Sequence, residues 1–180
     1  WGDVFIFTKN NDDDLYGGYV VGDNYFELGQ IGGAHALKAT NIERAELWGM
    51  ELIRIDGVYG ANAPVTNYYL IDEEKLLPFL KVDTGHVTVV DLDGEGLPEI
   101  VTQHGTAGVA MIYRWDGKQW FAADARSSFH ALNVTLDPER KLFYAYFEDG
   151  TRKIFTYADG EFGESKQQVQ VHFPEKIDLI

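Results

Sequence analysis

Five Asp-Gly pairs, at Asp56-Gly57, Asp93-Gly94, Asp116-Gly117, Asp149-Gly150 and Asp159-Gly160, punctuate a chain of short apolar or alternating runs. Glycine tolerates positive φ, and Asp-Gly suits the primed two-residue turns whose twist matches that of paired strands. Three of the pairs, within Trp115–Lys118, Glu148–Thr151 and Ala158–Glu161, sit between β-rich runs and read as antiparallel hairpins. Period two is clearest where Val109, Met111, Tyr113 and Trp115 alternate with Ala110, Ile112 and Arg114, as a half-buried strand requires. Leu142, Tyr144 and Tyr146 alternate with Phe143, Ala145 and Phe147. Both of those sets are apolar, so that strand is expected to be covered on both faces. Further strands are expected at Val4–Thr8, Tyr16–Val21, Tyr25–Gln30, Glu51–Ile55, Thr66–Ile71, His86–Val90, Glu99–Gln103, Lys153–Tyr157 and Gln168–Phe173.

Two stretches read differently. Asn41 is placed to cap a helix within Thr40–Met50, against the low helix propensity of Gly49. Asp72–Phe79 reads as one helical turn before Pro78 interferes. The whole implies one all-β domain over 1–180, an antiparallel meander of hairpins that is small or partial β-propeller-like, with a β-sandwich or barrel as the alternative. Ile112–Gly117 is echoed by Ile154–Gly160. That spacing falls in the range of about 40–50 residues typical of propeller blades, and the candidate repeat units are 86–122 and 125–164.

Charge and composition narrow the chemistry. The chain of 180 residues carries 29 Asp+Glu against 15 Lys+Arg, a formal net charge of −14, so a basic nucleic-acid footprint is excluded as the default. It has no cysteine, which removes disulfides, thiolate catalysis and Cys-ligated zinc together. Eleven Phe, ten Tyr and four Trp supply what a rigid core needs. No apolar run approaches the roughly 18 residues of a transmembrane segment. The expected location is extracellular or in a bacterial cell envelope, any signal or anchor lying outside the chain that begins at Trp1.

The stretch Val90-Asp91-Leu92-Asp93-Gly94-Glu95-Gly96-Leu97-Pro98-Glu99-Ile100 places an oxygen donor at every second residue. Asp91, Asp93, Glu95, the Leu97 carbonyl and Glu99 converge on one hard cation in this reading, with Ca²⁺ favoured because it takes six to eight oxygens in a flexible shell. An EF-hand needs a bidentate carboxylate at loop position twelve, where this chain has Thr102. The flanks Val87–Val90 and Ile100–Thr102 read as strands, not helices. On these residues the segment His86–Trp120 resembles the FG-GAP/VCBS family of β-propeller repeats, whose Asp-x-Asp-x-Asp-Gly-x-x-Asp/Glu loop joins two strands and binds calcium. The resemblance implies the same ligand positions here. Glu95 stands where the pattern usually has Asp.

Other chemistries find no pattern. No serine lies in a Gly-x-Ser-x-Gly elbow, the five histidines lack short zinc spacing, and Asp124, Ser128 and His130 are merely close in sequence. Among the aromatics, Trp120 in its hairpin is the expected exposed contact for a protein or carbohydrate ligand. The functional expectation is a non-enzymatic exported or envelope module, binding or structural, with one calcium loop. The alternative is a carbohydrate-active hydrolase domain whose carboxylates the sequence does not identify.

Overall fold

Alternating runs and glycine turns resolve into four antiparallel sheets in a computed structural model that describes residues 2–104 and 108–166. None closes into a barrel. Contacts divide the chain into two compact units that part between Val87 and Thr88.

In the first unit, β1 (Asp3–Thr8), β2 (Asp14–Val21) and β3 (Asn24–Gly33) form a three-stranded sheet in chain order. A 3-10 turn at Ala34–Ala39 leads to a four-stranded sheet, again in chain order, of β4 (Asn41–Leu47), β5 (Met50–Tyr59), β6 (Ala63–Asp72) and β7 (Lys75–Val82). The core joins Leu15, Tyr19 and Ile31 of the first sheet to Ile53, Ile55 and Tyr69 of the second. β3 reaches that core by two register slips against β2, which leave Leu28 and Ile31 as extra residues. Such bulges re-aim side chains, and Ile31 ends fully buried.

The third sheet consists of β8 (His86–Val90), β9 (Glu99–His104), β10 (Val109–Trp115) and β11 (Trp120–Asp124). A short helix, α1 (Ala125–Phe129), precedes the fourth sheet of β12 (Asn133–Asp137), β13 (Leu142–Tyr146), β14 (Arg152–Ala158) and β15 (Glu161–Glu164). Every sheet is an up-and-down meander, the strand order of a propeller blade. In the second unit Val101, Ile112, Val134 and Phe143 form the centre of the core, and the Phe129 ring stacks on Phe155 at 3.8 Å between centroids. Leu142, Phe143, Tyr144 and Ala145 are all buried, as a strand apolar on both faces requires.

The helix expected in Thr40–Met50 is instead the β4–β5 hairpin, closed at Trp48-Gly49 with φ of 55° and 70°. A primed two-residue turn and the apolar partners Ile53 and Leu52 across the ladder outweigh the local helix preference of Glu43–Leu47. The helical turn expected in Asp72–Phe79 is likewise a hairpin, with Glu73 at φ 53° and β7 running straight through Pro78. β7 is an edge strand and slips register beside Pro78, a place where a residue without an N–H is tolerated. Asp56-Gly57 is no turn either: both residues lie inside β5. The strand expected at Gln168–Phe173 lies outside the described residues.

Candidate metal centre

The loop from Asp91 to Pro98 connects β8 to β9, and its first turns are folded by its own acids. Asp91 Oδ1 accepts the Gly94 N–H at 2.8 Å and Oδ2 the Gly96 N–H at 3.2 Å, while Asp93 Oδ1 accepts the Glu95 N–H at 3.1 Å. Gly94 and Gly96 both sit at φ 84°, a conformation that side-chain-bearing residues resist, which is why the loop needs glycine at these two places.

Two anchors hold this loop to the second unit. Leu92 turns inward to 5% exposure and joins the core beside Val101 and Ile112, a burial worth about 1.5–3 kcal/mol for a leucine. Its N–H donates to Glu99 Oε2 at 2.9 Å, and Glu99 is itself only 1% exposed at the head of β9. A buried carboxylate is costly unless hydrogen-bonded or paired with a cation. Burial pushes the Glu99 carboxyl above its ordinary range, and the neighbouring charges of Asp93 and Asp91 push in the same direction against the Leu92 hydrogen bond. Asp91 goes the other way. Partial burial works against its charge, but the N–H groups of Gly94 and Gly96, with Lys141 nearby, hold it below the usual carboxylate range.

Carboxylate oxygens of Asp91, Asp93 and Glu99 come within 4.8 Å of one another. Oxygens on opposite sides of a calcium shell, at 2.3–2.6 Å from the ion, stand about 5 Å apart, so one ion can touch all three. The donor set is all-oxygen and anionic, as a hard cation requires, and each carboxylate keeps lone pairs beyond those used in the loop. The residues present therefore fit the ion.

The structure brings together three of the four carboxylates expected from the sequence. Glu95 is exposed and outside the group; its contribution to the loop is the backbone N–H given to Asp93. Leu97 is 53% exposed. Trp120, expected to be exposed, is half-buried and packs against Trp115 at 5.2 Å between ring centroids, because the two residues face each other across the β10–β11 hairpin. The anchoring role of Leu92 is a feature that spacing of acids alone does not reveal, although a lone leucine between two loop aspartates is the sequence signal for it.

Asp124, Ser128 and His130 are brought together as the frame of α1. Asp124 caps the helix, the Ser128 hydroxyl donates to the Asp124 carbonyl at 2.8 Å, and His130 closes the helix in the left-handed conformation.

Fold and site together define an all-β chain of blade-like meanders with a three-carboxylate loop seated between two strands. No protein-family model, no curated protein and no solved structure matches it. Among the described residues, no helix is long and apolar enough to cross a membrane.

Proposed function

We propose that this chain is a non-enzymatic β module whose Asp91–Glu99 loop is completed by Ca²⁺, the ion setting the loop's rigidity and with it the join between β8 and β9. The observation that carries this reading is the convergence of Asp91, Asp93 and Glu99 oxygens within one calcium shell, with Glu99 buried among like charges. A divalent cation relieves that repulsion and supplies the buried carboxylate with the counter-charge it lacks. The Leu97 carbonyl, together with water, remains as a further oxygen donor for the six to eight that calcium takes. An exposed loop of this kind suits the extracellular class of affinities, about 10⁻⁴–10⁻³ M, which fits a module working in an exported or envelope setting.

Calorimetric titration of the full chain with calcium tests the reading, alongside thermal melts. At about 10 mM Ca²⁺, linkage at that affinity raises stability by about 1 kcal/mol or more. An unchanged melt and no titratable heat at that concentration would remove the calcium reading. Loss of the calcium response on Asp91→Asn, with the fold retained, is the expected control.

A further inference from the structure

The first unit holds a cleft whose reading does not depend on the calcium loop. The cleft, of about 390 Å³, is bounded on one side by the bulged segment Leu28-Gly29-Gln30 of β3 and on the other by β6 and β7. That volume falls within the range of about 300–1,000 Å³ found for small-molecule sites. Both walls are shaped by bulges. Leu28 is an extra residue in β3 opposite Gly17 and Gly18, and Phe79 is an extra residue in β7, since Tyr68 pairs with Leu80 and Tyr69 with Pro78. Bulges beside a concavity commonly aim side chains into it. The Tyr69 hydroxyl donates to the Leu28 carbonyl at 2.9 Å and ties the two walls together.

The polar groups in this cleft are unevenly satisfied. Gln30 is committed through its Nε2, which donates to Asp14 Oδ2 at 2.6 Å. Asn67 is 5% exposed, lines the cleft, and its Nδ2 has no hydrogen-bond partner. A buried amide donor left unmade costs about 1–3 kcal/mol, so such groups normally have a partner. Lys81 lines the same cleft and pairs directly with Asn67 across the β6–β7 ladder, which puts the two side chains on one face of the sheet. Lys81 has no carboxylate partner among the described residues. An ammonium without a carboxylate partner and an amide donor without an acceptor thus share one face of the cleft, a combination suited to a negative oxygen. Phe79, Pro78 and Leu28 supply an apolar wall next to it.

We propose that this cleft binds a small organic carboxylate with an apolar body, one carboxylate oxygen accepting from Asn67 Nδ2, the other facing the Lys81 ammonium, and the body lying against Phe79, Pro78 and Leu28. A charge-assisted hydrogen bond gives such a ligand its orientation, and the flat ring of Phe79 favours an aromatic or unsaturated tail. A phosphate ester is a poorer match, because one lysine and one amide leave most of its charge unanswered.

The test is a titration of the ¹⁵N-labelled full chain, in calcium-free buffer, with 3-phenylpropanoate, 3-phenylpropanamide and acetate. The expected result is a saturable shift of the Asn67 side-chain amide resonances with 3-phenylpropanoate, with the uncharged amide and the tail-less acetate each binding about tenfold more weakly or worse. Lys81→Gln should weaken the carboxylate by about tenfold and leave the amide compound unchanged. Asn67→Asp, which sets a like charge against the ligand, should abolish carboxylate binding, and the backbone resonances of the same spectra report whether each variant is folded. Three results overturn the proposal: no saturable shift up to about 10 mM, which makes the cleft a hydrated groove; equal binding of acid and amide; or an unchanged affinity in folded Lys81→Gln.

Discussion

Leu92 donates its backbone N–H to Glu99 Oε2 at 2.9 Å while its side chain enters the core, so a loop residue and the first residue of β9 hold the acidic turn from both ends. One Glu99 oxygen is thereby spent on the fold, and the carboxyl lies buried beside Asp91 and Asp93. Two opposite effects of Glu99→Gln follow. Without divalent cations the variant should melt no lower than the parent protein, because a buried charge held among like charges has been removed and an amide oxygen can still accept from Leu92. With calcium present the order should reverse, since the parent gains stability and the variant gains little. Melting curves with and without about 10 mM Ca²⁺ read this crossover. Equal calcium shifts in the two proteins would show that Glu99 is no ligand.

The position of Glu95 outside the carboxylate group separates it from Asp93. Asp93→Asn should weaken calcium binding by about tenfold or more, as expected on losing a charged ligand. Glu95→Gln should change it by no more than about threefold, through long-range charge alone. Calorimetry on both variants decides the point, and similar losses in the two would place the Glu95 carboxylate in the ion's shell.

What was legible in the sequence, and what was not, follows from where the determining contacts lie. Asp159-Gly160 is a local device: both residues sit at positive φ between two paired strands, so the hairpin could be read from four letters. The fold of the acidic loop was legible for the same reason, because its alternating acids and its glycines are neighbours in sequence. Asp56-Gly57 carries the same two letters and lies within β5, where Gly57 answers to the β3 backbone passing beside it, a contact between residues 26 positions apart. The β4 and β7 strands were hidden by their acidic, proline-containing surroundings, and only their ladder partners make them strands. The cleft of Asn67 and Lys81 was illegible altogether. It depends on two bulges and a cross-strand register, none of which leaves a local signature.

Gly57 gives the sharpest test of that long-range contact. A Cβ built there would lie 1.8 Å from the Ile31 carbonyl oxygen and 2.9 Å from its carbon, both backbone atoms that cannot rotate away. Gly57→Ala should therefore cost about 3 kcal/mol or more, at the upper end of overpacking penalties. Gly163→Ala is the control: its nearest neighbour is Thr156 Oγ1 at 3.6 Å, an ordinary contact, so the change should stay within about 0.5 kcal/mol. Denaturant unfolding of the two variants measures the contrast, and near-equal midpoints would mean β3 and β5 are not in contact at Gly57.

Two turn aspartates should contribute to the acid limb of the stability curve. Asp116 Oδ1 accepts the N–H groups of Gln119 and Lys118 at 2.9 and 2.8 Å, and Asp149 Oδ1 accepts the hydroxyl and N–H of Thr151 at 2.6 and 2.9 Å. These bonds hold both carboxyls below the usual aspartate range. Each group is then harder to protonate folded than unfolded, so the unfolded chain binds more protons and stability falls as pH drops through the ordinary aspartate range and below. The stability gap between the parent protein and the double variant Asp116→Asn, Asp149→Asn should be widest at neutral pH and close on acidification. Urea midpoints across the acid range check it, and a gap independent of pH would remove the turn carboxylates as its source.

Asp124, Ser128 and His130, close in sequence, are held together by the short helix they frame, and Asp124 is its N-terminal cap. It stands in extended conformation at φ −91°, ψ 107° before α1. Its Oδ1 accepts the Ser127 N–H at 3.2 Å and its Oδ2 the Ser127 hydroxyl at 2.7 Å, which satisfies a donor that the first turn of a helix leaves open. His130, at φ 53°, ψ 39°, returns its own N–H to the end of the same short helix. A five-residue helix cannot persist on propensity alone, so its two ends and its buried residues, Ala125 and Phe129, must hold it. Asp124→Ala should cost about 1 kcal/mol, with Asp124→Asn or Asp124→Ser retaining most of it, because each still offers an oxygen to the Ser127 N–H. The loss should also register at Phe129, whose stack on Phe155 and edge contact with Phe162 at 4.7 Å depend on where the helix ends. Near-ultraviolet circular dichroism during the same unfolding experiments reports that aromatic cluster. If Asp124→Ala is as stable as Asp124→Asn and the aromatic signal is unchanged, the carboxylate is not the cap that fixes the helix.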